Sequence, residues 1–180
     1  MSETDSVVFS RRLGAEATMA LPARTRMAFN ALSVVAAGLA VLLPALAIIY
    51  WMSDAMPMAQ STGIQAVAIG TAMLHLLPLG WGLLRLRVCL RQFAIGRPFD
   101  ARGIAGLRDF ALGTALSAVA KPLAGMLFKL AVRQDGEPRQ IVIEISSDVM
   151  ILALFAGVIA ALAWAMQKAA LLAEENSQFV

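Results

Sequence analysis

The chain has 180 residues, of which 59% are hydrophobic and 15% charged, and its mean hydropathy is +0.74. Soluble domains carry roughly 25% charged residues, so a water-soluble fold of this length could not cover its apolar surface and is excluded. The formal charge of +3 has no soluble basic domain to sit on. No direct nucleic-acid binding is expected, and the basic residues are read as topology signals instead.

These proportions predict an all-α, polytopic four-helix transmembrane bundle, since four spans of about 20 residues with short connections use nearly the whole length. Residues 1–27 read as a polar N-terminal tail with Arg11, Arg12, Arg24 and Arg26. Ser10-Arg11-Arg12-Leu13 is only faintly similar to a twin-arginine export signal. The apolar run begins well downstream and is longer than a signal core, which favours a cytoplasmic tail.

The membrane domain is expected over 28–176. Its first span, 28–52, is interrupted by Asn30, Ser33 and Pro44 and finishes on Tyr50 and Trp51, an interfacial aromatic pair. The second, 63–84, carries Gln65, Thr71, His75 and Pro78, whose polar atoms are expected to need partners inside the bundle. Leu83, Leu86, Leu90 and Phe93 then recur at helical spacing while Arg85, Arg87 and Arg91 fall off that stripe. The helix should therefore extend to about 94, along the inner membrane surface.

Gly96-Arg97-Pro98-Phe99 breaks this helix, because glycine tolerates positive φ and proline disfavours helix in the residue before it. Asp100 is positioned to cap the next one. The third span, 107–130, contains Lys121, Pro122 and Lys129. The fourth, 148–172, is opened by Ser146-Ser147-Asp148, a cap with a first-turn acid, and 177–180 form a C-terminal tail. Between the last two spans a polar loop from Arg133 to Arg139 leads into a β-branched run near 140–145, which reads as a short extended segment.

The distribution of Lys and Arg orients the bundle. The N-terminal tail is basic, the first connection has no basic residue, and the second carries Arg85, Arg87, Arg91, Arg97, Arg102 and Arg108. Both termini and the second connection are expected in the cytoplasm.

Span three has one further pattern: Asp109, Gly113, Ser117, Lys121, Gly125 and Lys129 recur every four residues. A small and polar stripe of this kind should face other helices. Side chains tilt towards the N-terminus of their helix, which points Lys121 into the bundle. A structural pairing or snorkelling is favoured over a functional polar cavity.

His75, with Asp109, Lys121 and Ser117, completes the set of intramembrane polar candidates. As the single histidine, with no acid at the apolar centres, it does not make a metal site, which needs about three protein ligands. A neutral, hydrogen-bonded imidazole is the expected state. Ala153, Gly157, Ala161, Ala165 and Ala169 give span four a small-residue stripe, suited equally to packing within one chain and to a homo-oligomer.

Three segments together resemble the bacterial membrane-protein family called domain of unknown function 2975: Phe93-Ala-Ile-Gly96-Arg-Pro98-Phe99 with Leu107-Arg108, then Ile145-Ser146-Ser147-Asp148, then Ala170-Leu-Leu172-Ala-Glu174-Glu175-Asn176. The sequence departs from the family pattern at Gly103, where an asparagine is expected, and at Phe179, where a threonine is. The resemblance implies four spans over about 28–180 and a bacterial cytoplasmic (inner) membrane location. It also implies a regulatory setting, because some members are encoded beside small helix-turn-helix regulators, but it carries no residue-level role.

An enzyme is not expected. Cys89 is the single cysteine, which removes thiol-redox pairs; a His-Glu-x-x-His signature is absent, and no serine has a histidine base available. No cofactor is implied. The expected function is non-enzymatic, regulatory or sensory, through a cytoplasmic face that meets lipid headgroups or a cytoplasmic regulatory protein by Arg97, Pro98, Phe99, Glu174, Glu175 and Asn176. The alternative is a small oligomeric transporter or channel in which Lys121 and His75 line a polar path. Exporters of this size generally use an acid in the first span, and this first span has none.

Overall fold

A computed structural model describes residues 22–53, 62–132 and 146–177. Among them the fold is all-α, with α1 over Ala23–Met52, α2 over Thr62–Ala94, α3 over Ala101–Ala131 and α4 over Ser147–Ser177. All four are long and apolar enough to cross a membrane, and the protein is a multi-pass membrane protein. A helix of 30 residues, as α1 is, rises about 45 Å, more than the hydrocarbon thickness of about 30 Å. Each helix therefore tilts or reaches beyond the hydrocarbon. The expected extended segment near 140–145 lies outside the described residues, as do 1–21 and 178–180.

The helices pack in chain order, α1 on α2, α2 on α3 and α3 on α4. Phe29 near the start of α1 meets Phe93 near the end of α2, their rings 5.6 Å apart. At the other end Trp51 of α1 reaches Phe128 of α3, at 5.5 Å. Trp51 thus ties two helices together as well as standing at the end of its span.

The α2/α3 seam is the closest in the bundle, and glycine makes it so. A Cβ on Gly113 would lie 2.5 Å from the Pro78 carbonyl oxygen, and one on Gly106 would lie 2.6 Å from that of Arg85. With no side chain in the way the backbones approach directly, which in a bilayer, where apolar burial from water is not available to drive association, is a main source of helix affinity.

The extension of α2 beyond Leu84 is continuous with the span and packs on α3 rather than lying apart along a surface. Its stripe explains this. Leu90 is buried, and Leu83, Leu86 and Phe93 pack against a cluster formed by Cys89, Leu107, Phe110, Ala111, Ile159 and Ala163. The first turns of α3 offer an apolar partner that the sequence pattern of α2 alone does not show.

Gly96 ends α2 with φ 78°. The Arg97 N–H donates to the Gln92 carbonyl and the Gly96 N–H to that of Phe93, both at 3.0 Å, a Schellman closure that needs the left-handed conformation. Asp100 then accepts from the Arg102 N–H at 2.8 Å and starts α3 at Ala101, ahead of the third span expected from 107.

Candidate functional site

The intramembrane polar residues fall into separate places. At the start of α4, Asp148 forms an ion pair with Lys121 of α3 and accepts a hydrogen bond from the Ser146 hydroxyl. The Ser146 carbonyl in turn accepts from the Val149 N–H at 3.0 Å. One carboxylate thereby engages the lysine of α3 while standing in the first turn of α4, where a negative charge complements the helix dipole.

Further towards the α2–α3 connection, Asp109 faces Arg85 of α2, Oδ2 to Nε 3.4 Å, with Arg108 Nη2 at 3.9 Å from its other oxygen. Arg85 also lies over the Trp81 ring, 5.7 Å from its centroid. Asp109 and Lys121 are 12 positions apart on α3, about 18 Å along the axis, so they belong to two clusters and to no shared site.

This separation corrects the four-residue stripe. A step of four residues turns a helix about 40° past a full turn, so the line winds around α3 instead of keeping one face. Gly113 and Ser117 are buried, whereas Gly125 and Lys129 are exposed, and a Cβ on Gly125 would meet nothing within 4 Å.

His75 of α2 is partly buried, and its enclosed Nδ1 has no hydrogen-bond partner on a neighbouring helix among the described residues; the Thr71 backbone, one turn back on α2, lies beside the ring. The expected interhelical hydrogen bond at this nitrogen is therefore not formed there. Thr71, one turn away, needs no partner from another helix, because its hydroxyl donates to the Val67 carbonyl at 2.9 Å within α2. The same local solution holds for buried Thr114, which donates to Phe110.

At the basic end, Arg97 and Phe99 are exposed and Pro98 is partly buried on the turn between α2 and α3. The last turns of α4 run beside them. Phe99, Ala101, Trp164, Gln167 and Leu171 line one cavity of about 510 Å³. Glu175 is exposed; the side chains of Glu174 and Asn176 lie outside the described part of the structure. The turn at 97–99 and the end of α4, distant in sequence, thus form a single surface.

Sequence reasoning missed the partners Arg85, Arg108 and Asp148. Trp81 and Arg85 stand four apart on one helix, a spacing that does place side chains together. No spacing links Asp148 to Lys121, since they meet across a helix pair.

The face that α4 turns to α3 carries Val149, Ala156, Ile159 and Ala163, all buried. Its small-residue stripe, Ala153, Gly157, Ala161, Ala165 and Ala169, is exposed and is not used for packing among the described residues. Of that stripe, Ala153 and Gly157 line a second cavity of about 590 Å³ along the α3/α4 seam, which shares Arg108 and Ala160 with the first. No family model matches the chain, and no curated protein or solved structure matches it.

Proposed function

We propose that this is a non-enzymatic protein of the bacterial inner membrane, with both termini in the cytoplasm, that acts in regulation or sensing by docking a cytoplasmic regulatory protein on its basic end. The observation that carries the reading is the juxtaposition of the 97–99 turn with the end of α4: Phe99 and Leu171 line one cavity, and Phe99 is 54% exposed. The turn is held from both sides, by the closure at Gly96 and by the Asp100 cap. An exposed aromatic beside an exposed arginine on such a support has the composition of an interaction hot spot. The segments that resemble domain of unknown function 2975 include both halves of this surface, and membership of that family is part of the proposal.

The transporter reading receives less support. Lys121 is engaged by Asp148, which gives it a structural role in joining α3 to α4.

Photo-crosslinking from a benzoylphenylalanine placed at residue 95, next to the turn, tests the proposal in intact cells. A discrete protein adduct that disappears in Arg97→Ala/Phe99→Ala is the expected result. An adduct pattern unchanged by the double variant would overturn it, and so would a reporter fused after Val132 that reads as cytoplasmic.

A further inference from the structure

We propose that the α3/α4 seam is a binding site for one anionic phospholipid, with an acyl chain in the upper groove, the phosphate on Arg108 and the polar head in the lower cavity. The lower cavity is also part of the docking surface above, but the test below reads lipid retention alone, so the two readings fail separately.

The seam has the shape of an amphiphile. Its upper part, about 590 Å³, is walled by Leu112, Ala115, Val119, Ala153 and Gly157, with Arg108 at one end. Its lower part, about 510 Å³, begins at the same Arg108 and contains Gln167 and Trp164. Both volumes fall within the range of about 300–1,000 Å³ typical of small-molecule sites. The groove exists because α4 packs on α3 through Val149, Ala156, Ile159 and Ala163 while its alanine and glycine side stays open. A Cβ on Gly157 meets nothing within 4 Å.

Charge selects the occupant. Two guanidinium groups, Arg85 and Arg108, share one carboxylate, Asp109, and Arg85 is the nearer at 3.4 Å against 3.9 Å. The cluster therefore keeps one net positive charge, and Arg108, the more distant guanidinium, is also the more exposed, 65% against 52% for Arg85. Arg108 stands where the basic second connection enters the third span, at headgroup depth, and a phosphate oxygen there neutralises its guanidinium with strong, charge-assisted hydrogen bonds. Trp164, which is 62% exposed and lines the lower cavity, is the residue type that settles at headgroup level. Basic pockets between membrane helices take anionic headgroups on the same grounds.

The test uses the full chain in nanodiscs of phosphatidylcholine with a minor fraction of phosphatidylglycerol, followed by release into mild detergent and native mass spectrometry. Wild type is expected to retain one phosphatidylglycerol per chain, at least tenfold enriched over its share of the bilayer. Arg108→Gln should abolish the enrichment, Arg108→Lys should keep most of it, and Gly157→Leu, which fills the groove, should abolish retention of either lipid. Arg102→Gln, at an exposed arginine outside the seam, should change nothing. Equal retention of the two lipids by wild type overturns the proposal. So does loss of enrichment in Arg102→Gln as large as in Arg108→Gln, because diffuse surface charge would then explain it. Should Arg108→Gln fail to fold, unaltered enrichment in Gly157→Leu overturns the site by itself.

Discussion

Gly113 of α3 lies against the backbone of Pro78 of α2, so close that a methyl group on it would stand 2.5 Å from the Pro78 carbonyl oxygen and 2.9 Å from the Gly82 Cα. Both obstacles are backbone atoms, which cannot rotate aside as a side chain would. The two helices would have to separate, and the neighbouring contact of Gly106 with Arg85 would open with them.

Gly113→Ala should therefore destabilise the bundle in spite of the better helix propensity of alanine. Overpacking of this kind costs about 1–3 kcal/mol, more than the roughly 1 kcal/mol that replacing a helical glycine returns. Gly125→Ala, where the new methyl meets open space, should be neutral or stabilising. Thermal unfolding of the two variants in the same detergent checks the contrast, and equal shifts would show that the seam is looser than described.

The Lys121 and Asp148 side chains pair across α3 and α4 while 43% and 54% exposed. In water such a pair contributes about 0.2–1 kcal/mol. Losing one partner leaves the other charge unpaired beside the α3/α4 seam, and breaking the pair in this way costs more than removing both charges. Lys121→Met and Asp148→Asn should each lower the unfolding temperature in nanodiscs, and the double variant should recover part of the loss. Additive losses would argue against direct coupling.

Gly96 carries φ 78° at the end of α2. An alanine there meets the left-handed region at a cost of roughly 1 kcal/mol or more, and the hydrogen bonds from Gly96 and Arg97 to Phe93 and Gln92 would weaken. Gly96→Ala is expected to loosen the 97–99 turn, seen as faster amide exchange at Arg97 and Phe99 with the exchange of α1 unchanged. Protection equal to wild type would show that the turn does not depend on this closure.

Much of the architecture is legible in the amino-acid sequence. Long apolar runs, the Gly96 break and the Asp100 cap are local features, and an α-helix satisfies its backbone within its own segment, so hydropathy and end signals report it directly. The polar residues were harder to place. Thr71 and Thr114 solve their hydrogen bonding inside their own helices, which residue type alone does not distinguish from an interhelical bond. The four-residue stripe on α3 was a true pattern in the chain that winds off a single face in space, for the geometric reason that four residues exceed one turn.

What the amino-acid sequence determined by itself is the set of four apolar helices, their breaks and the charge that distinguishes one end from the other. What only the tertiary structure decided is which side of each helix meets which neighbour: that Asp148 takes Lys121, that Asp109 lies between two arginines, and that α4 leaves its alanine side open above Arg108. Helix formation depends on bonds a few residues long, whereas these pairings depend on rotation and depth between helices far apart in the chain. Those are settled by backbone contact at Gly106 and Gly113, a fit between surfaces that no linear spacing encodes.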